Sequence, residues 1–228
     1  MEKLIYILAD EKSDVNSRVD RVSATAIEAA RKVGGERIAI LVPDEAEEIR
    51  ARCAGRIAGD FGRLSSVFEC WIPTIDDRGA IEEVLAPQAG ELWGYLVTES
   101  TMVACPHAAT VREGERVPGI TQWGINDKPA NVDLDSFYRE WAVHSEISFD
   151  LHPFRDSYIR NAIARKLTSA TPHYLGIVLE RFPSLDVFVD ESKYFGDPAV
   201  TKKMIEHVPT FYDFATAITG GLSEYRWA

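Results

Sequence analysis

The chain has 228 residues, of which 46% are hydrophobic and 27% are charged. These fractions are typical of a folded globular protein and exclude a mainly disordered chain, and the length is enough for one large domain or two small ones. The 36 acidic residues outnumber the 25 basic ones, and because the resulting net charge of −11 repels phosphate, we do not expect a nucleic-acid partner.

The sequence contains no segment that resembles a membrane span or an export signal. Its longest apolar runs, 4–9 and 38–42, are far shorter than the roughly 18 residues that indicate a span. The N-terminus leads directly into a strand-like segment, without the basic region, apolar core and cleavage site of a signal peptide. Cys53, Cys70 and Cys105 form neither an even disulfide framework nor a CxxC pair, which favours a reducing compartment. We therefore predict a cytoplasmic protein without membrane contact.

The first half of the chain has the predicted order β-α-β-β-α-β. Apolar runs rich in β-formers and bounded by turn residues predict strands at 4–8, 37–42, 67–72 and 94–98. Apolar residues at helical spacing predict a helix over 22–33, which Gly34 and Gly35 end, and a shorter helix around 81–85.

The second half repeats this order after the turn sequence 117–119. Its strands are predicted at 120–125, 158–167, 176–182 and 211–218. An apolar stripe predicts a helix over 134–148, and Asp-Pro at an N-cap predicts another that begins at Pro198. Because the two halves share one order of elements, we interpret the chain as an internal duplication.

We therefore predict an α+β fold made of two fused ferredoxin-like β-α-β-β-α-β repeats, residues 1–117 and 118–228. One such repeat leaves a face of its antiparallel sheet without helices, and two repeats can bury these faces against each other as one pseudo-symmetric α+β barrel. The segments 43–66 and 122–133 are longer than this scaffold needs. We expect them to cover sheet edges or to lid a cavity.

Several segments together carry a family resemblance: residues 94–100, 117–120, Trp141 with His144, 158–161, 176–182 and 223–225. With these segments the chain resembles the EthD-domain family of the dimeric α+β barrel superfamily. The resemblance implies a ferredoxin-like barrel and a homodimer or fused-repeat arrangement. It implies little chemistry, because related barrels include polyketide cyclases, lactone isomerases, cofactor-independent monooxygenases and haem enzymes. Relatives often carry a histidine directly after the tryptophan, where this chain has Ala142.

His144 is the most informative polar residue, because it shares the apolar stripe of its helix with Phe137 and Trp141. This position places an imidazole between helix and sheet, and partial burial favours the neutral form that accepts a proton. His144 is therefore a candidate general base, and Trp141 is expected to contact the substrate. The alternative is a core histidine hydrogen-bonded to a backbone carbonyl.

The strand predicted at 158–167 carries three polar candidates on two faces. Alternation places Asn161 and Arg165 on one face and Tyr158 on the other. Tyr158 is expected to donate a hydrogen bond to a substrate carbonyl or enolate, Asn161 to polarise a substrate oxygen, and Arg165 to bind substrate. The alternatives are a tyrosine that packs with its hydroxyl in solvent and an asparagine bonded to backbone.

Glu180 lies in mid-strand, on the same face as Val178 and Phe182. Between these apolar neighbours its carboxyl group is expected to have a raised pKa and to act as an acid at the substrate. The alternative is an ion pair with an arginine at a subunit contact.

No motif in the sequence selects a metal or an organic cofactor. His144 and Glu146 match the start of an iron site, but side chains two residues apart on a helix diverge by about 200°. Cys105 and His107 lack a second pair of zinc ligands. Dinucleotide, phosphate-loop and common hydrolase motifs are absent from the sequence. Three histidines could ligate a haem, and no local motif selects among them: His144, His152 and His173.

Three functions therefore stay open. The first is a cofactor-independent isomerase, cyclase or dehydratase that acts on a small hydrophobic or aromatic carbonyl compound, with His144 as base and Tyr158 or Asn161 at the developing oxyanion. The second is a non-catalytic protein that binds a hydrophobic metabolite for a partner enzyme. The third is a haem-binding protein.

Overall fold

The computed structural model describes residues 1–10, 15–107 and 110–228. Its strands are β1 (Glu2–Ala9), β2 (Glu36–Val42), β3 (Leu64–Ile72), β4 (Glu91–Val103), β5 (Ile120–Asn126), β6 (Ser157–Lys166), β7 (Gly176–Phe182) and β8 (Ile218–Trp227). Its helices are α1 (Val15–Lys32), α2 (Ala46–Cys53), α3 (Gly79–Leu85), α4 (Leu134–Leu151), α5 (Leu185–Val189), α6 (Glu191–Tyr194) and α7 (Pro198–His207). Within these described ranges, no helix is both long and apolar enough to cross a membrane.

The strands close into one antiparallel barrel in the order β4-β1-β3-β2-β8-β5-β7-β6. Each half of the chain supplies four neighbouring strands. In the first half β1 and β2 both pair with β3, and in the second half β5 and β6 both pair with β7. A helix crosses between the first two strands of each half, α1 in one and α4 in the other. The predicted α+β barrel is confirmed.

The barrel wall is apolar on both faces because every strand alternates between an interior core and an outer helical layer. In β1, Ile5 and Ile7 belong to the interior cluster, together with Trp93 of β4 and Trp123 of β5. The residues between them, such as Tyr6, face outward into a cluster that includes the inner stripes of α1 and α3. The helices α4 and α7 cover the outer face of the second half in the same way.

The last strand is the main error of the sequence prediction. The segment 211–218 was expected to be a strand, but β8 begins only at Ile218. Phe211 instead follows a 3-10 turn and packs its ring 6.2 Å from that of Phe137 on α4. β8 was missed because it contains Gly220, which weakens a strand pattern. A Cβ at Gly220 would lie 2.3 Å from the ring of Phe61, so the glycine is needed for the close approach of this aromatic side chain.

Candidate functional site

A cavity of ≈ 500 Å³ lies on the outer face of the second half, under α4 and α7. Its floor is formed by side chains of β5, β6, β7 and β8, and α6 closes one side. Another part of the wall comes from the segment between β2 and β3 and consists of Gly55, Arg56 and Ala58. The lining is mostly apolar and aromatic, which suits a small hydrophobic ligand.

The helix α4 positions two of the predicted site residues on this wall. Its N-terminus is capped by Asp133, whose Oδ1 accepts a hydrogen bond of 2.8 Å from the backbone N–H of Ser136. One face of the helix then buries Phe137 and Trp141 against the sheet. Trp141 fits there because β7 has Gly176 opposite it, where a Cβ would approach the indole to 2.7 Å. The next turn places His144 on the cavity wall.

His144 has no hydrogen-bond partner among the described residues, and its Nδ1 is sealed from solvent. The ring lies 4.8 Å from that of Phe211 and 6.1 Å from that of His207, between centroids. Burial lowers the pKa of His144 to about 4, although the carboxylate of Glu180 acts in the opposite direction. His144 is therefore neutral at physiological pH. The backbone carbonyl that would accept a hydrogen bond from a structural core histidine is not found within residues 1–10, 15–107 and 110–228.

The protonation of His144 is expected to be linked to stability. Burial holds its pKa at about 4 in the folded protein, against an ordinary value of 6.5. Between these values the unfolded chain binds a proton that the folded protein does not, so the free energy of unfolding is highest above pH 6.5 and falls as the pH falls toward 4. Urea unfolding of the wild type and His144→Gln at about pH 7 and pH 5 checks this expectation. The wild type should lose more stability on acidification than the variant, and equal losses would contradict the assignment.

Glu180 lies on β7 at the cavity, and its carboxylate pairs with Nη1 of Arg155, which follows α4. Burial alone would raise the pKa of Glu180, but Arg155 and the nearby His152 hold it below its ordinary value. The prediction of a raised pKa is therefore wrong, and Glu180 is ionised at neutral pH. Glu180 does pair with an arginine, but this arginine is Arg155 of the same chain and not the expected one at a subunit contact.

Tyr158 lies on the cavity wall, but its hydroxyl is already bonded. Its Oη is 2.9 Å from Oγ of Ser145. Ser145 Oγ donates its only proton to the carbonyl oxygen of Trp141 at 2.9 Å and accepts a hydrogen bond from Nη1 of Arg160 at 2.8 Å. Tyr158 must therefore be the donor to Ser145. Its proton is used within the protein, which makes Tyr158 part of the cavity wall rather than a free donor.

The other two predicted site residues lie away from the cavity. Asn161 shares the inward face of β6 with Ile159 and Ile163, which pack on the interior core. It is fully buried, and its Nδ2 donates to the carbonyl of Ile177 at 3.4 Å. Arg165 is exposed near the end of β6. The structure thus brings together Trp141, His144, Tyr158 and Glu180, but neither Asn161 nor Arg165.

Two basic residues of the cavity, His152 and Arg56, were not among the predicted site residues. His152 was considered only as a haem ligand; its Nδ1 donates to the carbonyl of Tyr194 at 2.8 Å, and burial lowers its pKa. Arg56 belongs to a 3-10 turn in the segment 43–66 and is 7% exposed. This segment was expected to lid a cavity, but no sequence signal distinguished Arg56 from its other arginines. Among the described residues, no group of three or more potential ligands could hold a metal ion.

Three solved structures share the fold over nearly the whole chain. A proposed monooxygenase from Lactobacillus acidophilus is 10% identical with a TM-score of 0.52, and the match covers 98% of this chain and 93% of that one. An anthrone oxidase-like protein is 9% identical with a TM-score of 0.57, covering 99% and 92%. A proposed monooxygenase from Fusobacterium nucleatum is 10% identical with a TM-score of 0.51, covering 100% and 92%. These likenesses establish the fold alone. The sequence matches no protein-family model and has no significant match among curated proteins.

Proposed function

We propose that the protein is a cofactor-independent acid–base enzyme that removes a proton next to the carbonyl group of a small hydrophobic or aromatic compound. The observation that carries this proposal is His144, a neutral imidazole that makes no hydrogen bond to the described residues and lies on the wall of an apolar cavity. Nδ1 is the sealed nitrogen, so a substrate reaches the ring through Nε2. An imidazole whose lone pair is not engaged by the protein is available as a base.

The low basicity of His144 limits the substrates from which it can remove a proton. An imidazole whose conjugate acid has a pKa of about 4 is a weak base, and it accepts a proton efficiently only from an acidic donor. The carbon that loses the proton is therefore activated by more than one group, such as a carbonyl together with an aromatic ring or a second carbonyl. The ionised Glu180 favours the imidazolium that forms, because its charge raises the pKa of His144.

Two fates of the resulting enolate are compatible with the cavity. Reprotonation elsewhere, ring closure or loss of water gives an isomerase, a cyclase or a dehydratase. The second candidate is reaction of the anion with O2, in which a CH2 group and O2 give a carbonyl group and water. The description of three structures of the same fold as monooxygenases or anthrone oxidase-like favours this candidate. Both begin with the same proton transfer to His144.

We also propose membership of the EthD-domain family and an assembly as a homodimer. Two ferredoxin-like repeats that meet near residue 117 are supported by the shared strand order, β4-β1-β3-β2 in one half and β8-β5-β7-β6 in the other. The sequence segments that resemble the family include the cavity residues Trp141, His144, Tyr158 and Glu180.

Deuterium exchange tests the proton-transfer step before the natural substrate is known. Aryl ketones and aryl 1,3-dicarbonyl compounds are incubated with the protein in D2O, and deuterium at the activated carbon is measured by NMR. We expect exchange above the uncatalysed rate for compounds that bind. Consumption of O2 during the reaction separates the oxygenating candidate from the isomerising one. Binding without exchange at any pH would overturn the enzymatic function and leave a carrier of hydrophobic metabolites.

A further inference from the structure

Arg56 is a buried arginine with one unsatisfied donor beside the cavity. Its Nε donates to the carbonyl of Phe188 at 2.9 Å, and its Nη1 lies 3.3 Å from Oε1 of Glu191. The guanidinium stacks on the ring of Tyr194, 3.4 Å from its centroid. Nη2 is buried and has no hydrogen-bond partner in the part of the chain that the structure describes. A buried donor without an acceptor costs free energy, so this position is unusual for a side chain that serves packing alone.

The charged groups at the cavity differ in how well they are neutralised, and the charge of Arg56 is neutralised least. Glu180 and Arg155 neutralise each other in a buried pair. Burial keeps both His144 and His152 predominantly neutral near neutral pH. The partner of Arg56, Glu191, has a side chain that is 63% exposed and hence screened by water. Arg56 is therefore the charged residue of the cavity lining whose ionic partner is screened by water, in a chain with a net charge of −11.

From this geometry we infer that the ligand of the cavity carries an anionic oxygen on an aromatic body and that Arg56 receives that oxygen. The aromatic body fits the apolar part of the lining, which includes Trp141, Phe195 and Phe211. Arg56 lines the same cavity, so an anionic oxygen there can reach its guanidinium, and a charge-assisted hydrogen bond to a guanidinium is among the strong ones. A carboxylate and a phenolate share this chemistry. The inference rests on the proposed function only for its site, because it concerns binding and not the reaction.

The position of Arg56 in the chain explains how a guanidinium from the first half reaches the cavity of the second half. It lies between β2 and β3, yet its partners Phe188, Glu191 and Tyr194 all belong to the helices after β7. The segment 43–66 thus brings a cation from the first half to a cavity of the second. If the segment served only as a cover, an uncharged residue at position 56 would avoid the unsatisfied donor.

Isothermal titration calorimetry with two matched probes tests the inference. 2-Naphthoate carries the anionic oxygen, and 2-naphthamide has the same size without the charge. We expect the wild type to bind naphthoate about 10-fold or more tightly than naphthamide. In Arg56→Met the naphthoate affinity should fall about 10–100-fold, whereas the naphthamide affinity changes little. The same comparison between 2-naphthol and its phenolate, made across pH, shows whether a phenolate is the preferred source.

The control variant is Arg52→Met, which removes an exposed arginine of α2 that pairs with Asp186 and does not line the cavity. It should leave both affinities unchanged. The wild-type comparison needs no variant, so it decides the question even if Arg56→Met fails to fold. No preference of the wild type for either anion, or an equal loss of both probes in Arg56→Met, would overturn the inference. Naphthoate binding that persists without any exchange activity would overturn the proposed function and leave this inference standing.

Discussion

Replacement of His144 by glutamine is expected to lower the rate of enzyme-catalysed exchange by about 10²–10⁴-fold, the usual contribution of a general base. Glutamine keeps a polar side chain of similar reach but cannot accept a proton at neutral pH. Since the ring of His144 makes no hydrogen bond with the described protein, its removal breaks no bond that holds the fold. The measurement is the initial rate of deuterium incorporation into the best compound of the panel, with the affinity of that compound measured in parallel.

The pH dependence of the exchange rate is a second test of His144 as the base. Because burial lowers the pKa of His144 to about 4, the wild-type rate should stay constant from neutral pH down to about pH 5 and fall below that as the imidazole is protonated. His173→Gln is the matched control, since His173 lies on the surface with a side chain that is 67% exposed. It should retain the wild-type rate and profile. Full exchange activity in His144→Gln would remove His144 from the mechanism.

The sequence predicted the positions of site residues best where the repeat of a helix or strand alone determines which side chains are buried. The stripe through Phe137, Trp141 and His144 correctly placed one face of α4 against the sheet, and it led directly to the cavity. Strand alternation likewise separated Tyr158 from Asn161, which lie on opposite faces of β6. Both inferences depend only on the repeat of a helix or a strand, so they needed no knowledge of which elements pack together.

The partners of polar groups depend instead on tertiary packing. Glu180 has apolar neighbours along its strand, which predicted a raised pKa, but Arg155 reaches it from the end of α4 and reverses the shift. Tyr158 was expected to donate a hydrogen bond to a substrate, but Oγ of Ser145 on α4 accepts that hydrogen bond instead. Apart from Gly55 and Ala58, every other residue that lines the cavity lies at position 122 or later, so no local pattern could assign Arg56 to the site.

Replacement of Lys3 by methionine is expected to destabilise the protein by about 3–5 kcal/mol at neutral pH, the cost of removing one partner of a buried ion pair. Lys3 projects into one end of the barrel and is 2% exposed. Its Nζ lies 2.9 Å from Glu69 and 2.8 Å from Glu99. Burial would lower the pKa of Lys3, but these two carboxylates together raise it above its ordinary value. The lysine is therefore fully charged at neutral pH, and its contribution to stability is complete there.

The carboxylates determine how this loss depends on pH. Glu99 keeps Arg37 as a partner, at 3.0 Å, whereas Glu69 loses its ion pair in Lys3→Met. Burial already raises the pKa of Glu69 in the wild type, and removal of the neighbouring cation raises it further. Because the folded variant then takes up a proton more readily than the unfolded chain, the destabilisation should shrink as the pH falls from 7 to about 5.

Urea unfolding at pH 7 and about pH 5 measures the destabilisation by Lys3→Met. Two further variants are measured for comparison. Lys32→Met removes a lysine whose side chain is 70% exposed and which pairs with Glu28 one helical turn away, so it should cost no more than about 0.5 kcal/mol. Lys3→Met combined with Glu69→Gln removes the uncompensated charge and should recover part of the loss. A loss for Lys3→Met as small as that for Lys32→Met would show that the barrel end is hydrated. In that case water, and not the ion pairs, would stabilise the two carboxylates.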